Sequence, residues 1–230
     1  APEKDAGRIT GAMGWLRADI AEAREATRRF RHAPRYAPAG QSTQMIVGAD
    51  AADDRTILAS AESLYQRFGM RRVYYSAYSP IPDASSALPP VRPPLLREHR
   101  LYQADWMLRF YGFALAEVSA AMDGGHLPLD IDPKLAWALA NRQQFPVDVN
   151  RADKAMLLRV PGLGTKVVGR LLASRRHRTL RWADVARLVQ SPAKVKPFVT
   201  TPDWRPTRLL DRDALKPLVA PPRQLDLFGA

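Results

Sequence analysis

A proline and two glycines, in the run PGLG at residues 161–164, interrupt the apolar and basic stretch VDVNRADKAMLLRVPGLGTKVVGRLLASRR. The part before this run predicts a short helix that Asn150 caps, with Asp153 at its third position. The part after it predicts a second helix that begins at Thr165. The predicted apolar faces are Met156, Leu157 and Val160 in the first helix and Val167, Val168, Leu171 and Leu172 in the second. Because both faces must be buried, we expect the two helices to pack together as a hairpin.

The turn of this hairpin is a candidate phosphate site. Two glycines two residues apart allow backbone conformations and close approaches that a side chain would block. A glycine turn that leads into a helix presents unpaired N–H groups and the positive end of the helix dipole, and both attract a phosphate oxygen. The candidate DNA-binding residues are Gly162, Leu163, Gly164, Thr165, Lys166 and Arg170. The alternative is an ordinary helical hairpin in which the glycines serve only the turn.

The charge of the chain is concentrated in its last third. Residues 1–150 contain 18 Lys and Arg against 17 Asp and Glu, whereas residues 151–230 contain 17 against 6. A basic segment beside a neutral one is typical of proteins that bind a polyanion. The 230 residues contain no cysteine and no run of 18 apolar residues, so we expect no disulfide, no metal site, no membrane insertion and a cytoplasmic, nucleoid-associated location.

The first half of the chain has a strand–helix–strand pattern. Residues 4–31 are helical in composition, and TQMIV is an apolar strand that ends at Gly48. A helix capped by Asp53 or Asp54 follows and ends at Gly69, and RRVYYS is a second strand. This spacing predicts a right-handed crossover between two parallel strands. Tyr74, Tyr75 and Tyr78, in and just after the second strand, are expected to alternate between wall and core, and the alternative is that they line a substrate cavity or stack on a base.

Two further helices are predicted between the strands and the hairpin. A proline-rich connection leads into a largely apolar helix from Leu95 to about Ala121, which DGG ends. Asp132 and Pro133 suit the N-cap and first position of a helix that runs to about Asn141. Their tryptophans, Trp106 and Trp137, are expected to be core residues.

The hairpin region resembles a known DNA-binding motif. PGLGTK with its flanking helices is similar to the helix-hairpin-helix motif of DNA repair and DNA uptake proteins, and the resemblance covers residues 147 to about 190. It includes VDVNRA before the hairpin and TLRWADVARL after it, which resembles the next helix of that domain. The resemblance implies an all-α domain that holds DNA by its phosphates.

The whole chain resembles the later part of a radical S-adenosylmethionine (radical SAM) protein. STQMIVGADAADDRTILASAESLYQRFGMRRVYYSAYSPIPD, LLREHRLYQADWMLRFYGF and the hairpin are together similar to radical SAM proteins of DNA modification or repair that are associated with a uracil-DNA glycosylase-like partner. The resemblance implies late βα units of a partial TIM barrel, with Ile46 and Gly48 near the adenosyl group. It also implies S-adenosylmethionine and a [4Fe-4S] cluster as cofactors of the complete protein.

Three closely spaced cysteines hold the cluster in that family, and this chain has none. We therefore expect a fragment whose cysteines lie upstream of Ala1, or a variant that has lost them. No catalytic residue, no metal ligand and no bound cofactor is expected in this chain alone.

The C-terminal residues QLDLF resemble the pentapeptide by which bacterial proteins bind the sliding clamp. Gln224 would supply amide hydrogen bonds, and Leu225, Leu227 and Phe228 would be the buried anchors. The alternative is a terminal segment that folds back onto the protein's own apolar surface.

The sequence thus predicts four parts: a barrel part with covering helices (1–125), a connecting helix (126–146), the helix-hairpin-helix domain (147–200) and a flexible tail (201–230). The leading hypothesis is the DNA-binding C-terminal part of a radical SAM enzyme that modifies or repairs DNA. The alternatives are a non-catalytic DNA-binding repair adaptor tethered to the sliding clamp, and an RNA-binding module.

Overall fold

The computed structural model describes residues 5–82, 88–206 and 215–219, except for the side chain of Leu218. These residues form a mixed α/β structure with short parallel strands. The chain divides into two compact units, of which the first ends at Glu98 and the second begins at His99.

The first unit contains α1 (Ala6–Arg29), β1 (Ser42–Val47), α2 (Asp54–Phe68) and β2 (Arg72–Ala77), and α3 (Leu95–Phe110) begins in it. Strands β1 and β2 pair in parallel, in a register that runs from Ser42 opposite Arg72 to Val47 opposite Ala77. The predicted pair of parallel strands joined by a helix is therefore confirmed.

Local signals explain the boundaries of α2. The carboxylate of Asp53 accepts a hydrogen bond from the Thr56 N–H at 2.8 Å, which makes Asp53 the N-cap. Gly69 ends the helix with a left-handed φ of 62°. The buried side chains of the unit include Val47, Ile57, Leu58, Ala61, Val73, Tyr75 and Tyr78.

Helix capping explains only the first of the two adjacent aspartates. Asp54 lies in the first turn of α2 and is 1% exposed, and the Arg97 Nε donates to its carboxylate at 2.7 Å. The same guanidinium donates to the carbonyl of Ala52 at 2.8 Å. Asp54 therefore anchors the start of α3 to the start of α2.

Tyr78, which follows β2, is buried. Within β2 the two tyrosines alternate as expected: Tyr75 is buried, whereas Tyr74 is 44% exposed and the guanidinium of Arg72 lies 4.9 Å from its ring centroid. This pattern is that of a strand with one buried and one exposed face.

The second unit contains the rest of α3 and nine shorter elements in the part of the chain that the structure describes. They are α4 (Leu115–Ser119), α5 (Pro133–Ala140), β3 (Val147–Asp148), α6 (Lys154–Arg159), α7 (Thr165–Ser174), α8 (Trp182–Leu188), α9 (Pro192–Val195), β4 (Val199–Thr200) and α10 (Leu215–Val219). Two single turns of 3₁₀ helix lie at Arg142–Gln144 and Lys196–Phe198. Asp132 caps α5 and Pro133 is its first residue, as predicted.

The long helix predicted from Leu95 to about Ala121 is wrong in its second half. Helix α3 ends at Phe110, and the chain turns at Gly112, whose φ of 72° is left-handed. The Phe113 N–H donates back to the Met107 carbonyl at 3.2 Å, so the chain reverses before α4. The apolar residues continue through this turn, which is why the pattern alone suggested one helix.

The two tryptophans expected in the core differ. Trp137 is 3% exposed and lies in a row of edge-to-face rings, 5.2 Å from Phe113 and 6.3 Å from Phe145 between centroids. Phe145 in turn lies 5.2 Å from Phe198. The expectation for Trp106 is wrong, because its side chain is 49% exposed and packs only edge-on against Phe110.

The two ends of the hairpin region meet in a parallel ladder, in which Val147 pairs with Val199 and Asp148 with Thr200. The region expected to be all-α therefore also contains two short strands. The structural division also differs from the predicted domain boundary, because residues 99–125 belong to the same unit as the later helices. Helix α4 contacts α5, and the Phe113–Trp137 packing explains this grouping.

Candidate nucleic-acid interface

Helices α6 and α7 contact each other across the PGLG turn. The apolar residues that face inwards are largely those expected: Leu157, Val160, Val168 and Leu171 are buried, and Met156, Val167 and Leu172 are half-buried. The predicted helical hairpin is present in the structure.

The first glycine of the turn is required by its geometry. Gly162 has a φ of 84°, which side-chain-bearing residues rarely adopt. A Cβ at this position would lie 2.8 Å from Cγ2 of Val195, a fully buried side chain in α9. The turn therefore packs closely against α9, and no side chain fits between them.

The second glycine has no such requirement. Gly164 is the N-cap of α7 with φ −97° and ψ 171°, extended values that any residue adopts. A Cβ there would meet the hydroxyl oxygen of Tyr111 at 3.7 Å, an ordinary contact. Gly164 is half-buried, and the residues that follow it, Thr165 and Lys166, are exposed.

Leu163, between the glycines, is 0% exposed. Its side chain anchors the turn in the core, and its N–H donates to the Val160 carbonyl at 3.2 Å. A ligand at the turn would therefore meet neither its side chain nor its N–H.

The start of α7 has the properties expected of a phosphate site. Within the described part of the chain no side chain caps this ten-residue helix. Its first N–H groups consequently lack the partners that an N-cap side chain supplies. Thr165, Lys166 and Arg170 are exposed, and Lys166 and Arg170 are four residues apart, so they lie on one face of α7. Neither basic side chain forms an ion pair with a described residue.

Other basic residues of this region have structural roles. Arg159 forms an ion pair with Glu117 at 2.9 Å and lies 4.7 Å from the Phe113 ring centroid. Arg175 donates to the carbonyl oxygens of Val149 and Ala152. The positive charge of this part of the chain is therefore only partly available to a ligand, and Lys166 and Arg170 belong to the part that is exposed.

The cap predicted for α6 is wrong by three residues. Asp153 is the N-cap, and its carboxylate accepts from the Met156 N–H at 2.7 Å. Asn150 instead exchanges two hydrogen bonds with the backbone of Leu180, at 2.8 and 3.0 Å. It joins the entry of the hairpin to the segment before α8, a partnership thirty residues away that local pattern does not reveal.

Sequence reasoning missed a buried lysine beneath the turn. Lys134, in α5, donates to the Leu158 carbonyl at 3.0 Å and also to the Leu163 carbonyl. Its ammonium lies 4.6 Å from the ring centroid of Tyr111. Burial lowers the pKa of Lys134 to about 7, against an opposing effect of Asp132 and a reinforcing one of Lys194. The sequence contained one signal for this buried lysine: it is the single charged residue among the apolar residues of α5.

Four polar side chains lie close together behind the hairpin turn, and we call them the turn-support cluster: Tyr111, Asp132, Lys134 and Lys194. Asp132 pairs with Lys194, whose stem lies beside Gly162. Burial and the charge of Asp132 raise the pKa of the Tyr111 phenol. The cluster places two cations and one carboxylate directly behind the hairpin turn.

The residues expected near an adenosyl group lie at the end of β1. Ile46 is 48% exposed. Gly48 has a φ of 80°, and a Cβ there would lie 2.7 Å from Cγ of Pro93, so the fold itself requires glycine at this position. Their proximity to S-adenosylmethionine stays a prediction.

The chain's own donors do not fit an iron–sulfur cluster, because it contains no cysteine to supply thiolate ligands. Among the described residues there is also no group of three or more His, Asp or Glu arranged to hold a metal ion. The clamp-like residues Gln224, Leu225, Leu227 and Phe228 lie outside the described residues.

Comparison with known proteins yields no match among family models, curated proteins or solved structures. No helix within the described ranges has both the length and the apolarity needed to span a membrane.

Proposed function

We propose that this protein binds DNA through the α6–α7 turn, which holds the sugar-phosphate backbone without reading sequence. The main observation in support of this proposal is that the start of α7, directly after Gly164, is exposed and has no side-chain cap among the described residues. Lys166 and Arg170 lie beside it. A phosphate oxygen placed there would accept from backbone N–H groups and lie near two exposed cations that form no ion pair with a described residue. Non-specific binding of this kind depends on charge and depends little on base sequence.

The proposal extends to a role in DNA modification or repair, as the C-terminal part of a radical SAM enzyme. The two parallel strands joined by α2 are compatible with late βα units of a barrel, and the resemblance of the chain to that family supports this part. S-adenosylmethionine, a [4Fe-4S] cluster and a uracil-DNA glycosylase-like partner are accordingly proposed for the complete protein. No catalytic step is assigned to this chain, whose residues do not supply the thiolates.

Binding of a fluorescent duplex, measured over a range of salt concentrations, tests the DNA proposal. We expect log K to fall with log salt at roughly 0.9 per phosphate contacted. The double variant Lys166→Ala, Arg170→Ala should weaken binding at least about tenfold, equally for unrelated sequences, and reduce the salt slope by about one per lost contact.

The matched control is Arg8→Ala, Arg55→Ala, which removes the same charge from two exposed positions of the other unit. If the control weakens binding as much as the α7 variant, the attraction is a property of net charge and the turn is not the site. A comparison with duplex RNA of the same sequence decides between the DNA proposal and the RNA alternative.

The C-terminal QLDLF supports a second proposal, that the protein is tethered to the sliding clamp, alone as a repair adaptor or together with the enzyme role. Titration of purified clamp should show binding by the intact chain and none by Leu227→Ala, Phe228→Ala. Equal binding by both forms, or binding by neither, would overturn the clamp proposal and leave the DNA proposal unaffected.

A further inference from the structure

We propose that Lys134 is a positioning residue for DNA binding: from beneath the turn it fixes the peptide between Leu163 and Gly164, so that the Gly164 N–H points outwards to the phosphate. This inference rests on the proposed function. It adds a residue from outside the α6–α7 hairpin, and it predicts a pH dependence for the same site.

The direction of the N–H follows from peptide geometry. The peptide bond between Leu163 and Gly164 is trans, so its C=O and N–H point in opposite directions. Lys134 donates to the Leu163 carbonyl from the buried side of the turn. The Gly164 N–H consequently points away from the core, towards the open side of the turn.

Lys134 also donates a hydrogen bond to a carbonyl group at the C-terminal end of α6. The carbonyl of Leu158 belongs to the last turn of α6, where intrahelical partners run out. The ammonium donates to it at 3.0 Å. One buried cation thus joins the end of α6 to the residue that precedes the N-cap of α7, which fixes the relative position of the two helix ends.

Every element packed around this ammonium contributes to its electrostatics. Asp132 at the start of α5 attracts it, Lys194 of α9 repels it, and the ring of Tyr111, after α3, covers it at 4.6 Å. With its pKa near 7, the ammonium loses its proton in the free protein as the pH rises above neutrality.

A bound phosphate favours the protonated form. Standard peptide and hydrogen-bond dimensions place a phosphate oxygen on the Gly164 N–H roughly 8 Å from the ammonium. Attraction across such a distance in a partly buried site raises the pKa of Lys134 in the complex. DNA binding above pH 7 should therefore take up a proton at Lys134, and affinity should decrease as the pH increases.

The experiment compares duplex affinity of the full chain and of Lys134→Met between pH 6.5 and 9, at constant salt. We expect the affinity of the native chain to fall about threefold to tenfold more than that of Lys134→Met over this range. Other titrating groups are common to both proteins and cancel in the comparison. Equal pH profiles would overturn the role of Lys134.

The pH profile separates positioning from mere structural support. A buried lysine with a lowered pKa makes the fold more stable as the pH rises above 7, since the unfolded chain then binds more protons than the native one. If Lys134 only supported the fold, the DNA affinity of the folded chain would not fall as Lys134 loses its proton. We expect affinity to decrease while stability increases.

Calorimetry of the native chain covers the case in which Lys134→Met does not fold. Binding at pH 8, measured in two buffers of different ionisation enthalpy, should show uptake of a fraction of one proton per DNA bound. Zero uptake overturns the inference. If the Lys166 and Arg170 variants weaken binding and the pH profiles are equal, only the role of Lys134 fails; if the native chain does not bind DNA, both proposals fail.

Discussion

Replacement of Gly162 by alanine should destabilise the second unit, whereas the same replacement at Gly164 should not. The two glycines have the same sequence context, two residues apart in one turn. Their geometries differ: φ is 84° at Gly162 and −97° at Gly164. This pair therefore separates the glycine that the fold requires from the glycine that leaves room for a ligand.

The decrease in the free energy of unfolding expected for Gly162→Ala has two causes. A left-handed conformation costs a residue with a Cβ about 1–2 kcal/mol. The new methyl group would lie 2.8 Å from Cγ2 of Val195, which is 0% exposed and has to move. Overpacking of this kind costs about 1–3 kcal/mol, so the free energy of unfolding should fall by roughly 2–5 kcal/mol.

At Gly164 the new methyl group makes an ordinary 3.7 Å contact with the Tyr111 hydroxyl. The free energy of unfolding should therefore change by less than about 1 kcal/mol. DNA affinity should nevertheless decrease, because a side chain at the N-cap of α7 limits how closely a phosphate approaches the backbone.

Urea denaturation followed by tryptophan fluorescence measures both variants, with Trp137 as a buried reporter in the same unit. The expected result is a lower midpoint for Gly162→Ala and a native-like midpoint with weaker DNA binding for Gly164→Ala. Equal midpoints for the two variants would refute the assignment of distinct roles to the two glycines.

Three further predictions concern stability. Between pH 7 and 10.5, the ordinary pKa of lysine, the native chain should become more stable relative to Lys134→Met by up to about 1.4 kcal/mol per pH unit. The reason is that Lys134 keeps its proton in the unfolded chain and loses it in the native one; urea denaturation at several pH values measures the difference. Arg97→Met removes the ion pair between Arg97 and the buried Asp54 carboxylate and should cost about 3–5 kcal/mol, of which Asp54→Asn in the same chain should restore part. Asn150→Ala leaves the backbone groups of Leu180 unsatisfied and should cost about 1–3 kcal/mol in thermal unfolding, whereas an N-terminal cap role would shorten α6 instead.

Features specified by nearby residues were predictable from the sequence. The strand–helix–strand order, the cap at Asp132 and the helix end at Gly69 each depend on a short stretch with a distinct pattern. The turn at Gly112 was not predicted, because apolar residues continue on both sides of it.

Features that depend on distant partners were not predictable in this way. Asn150 has the residue type of a helix cap, but its partner is Leu180. The role of Lys134 depends on carbonyls of α6 and of the turn, which only the folded chain brings to it. The candidate site was therefore predictable from the glycine turn and its charges, whereas the hydrogen bonds of Lys134 behind the turn exist only in the folded chain.

The short ladder between β3 and β4 has a consequence for how the hairpin region is attached. The chain enters this region at Val147 and leaves it at Thr200, and the Val149 N–H donates to the Thr200 carbonyl at 3.2 Å. Paired strands lie about 4.8 Å apart, so the entrance and the exit are neighbours. The hairpin region therefore leaves the path of the chain and returns to nearly the same point, where Lys134 and the Arg159–Glu117 ion pair bind it to the preceding residues. The residues that follow Thr200 consequently start beside those that precede Val147.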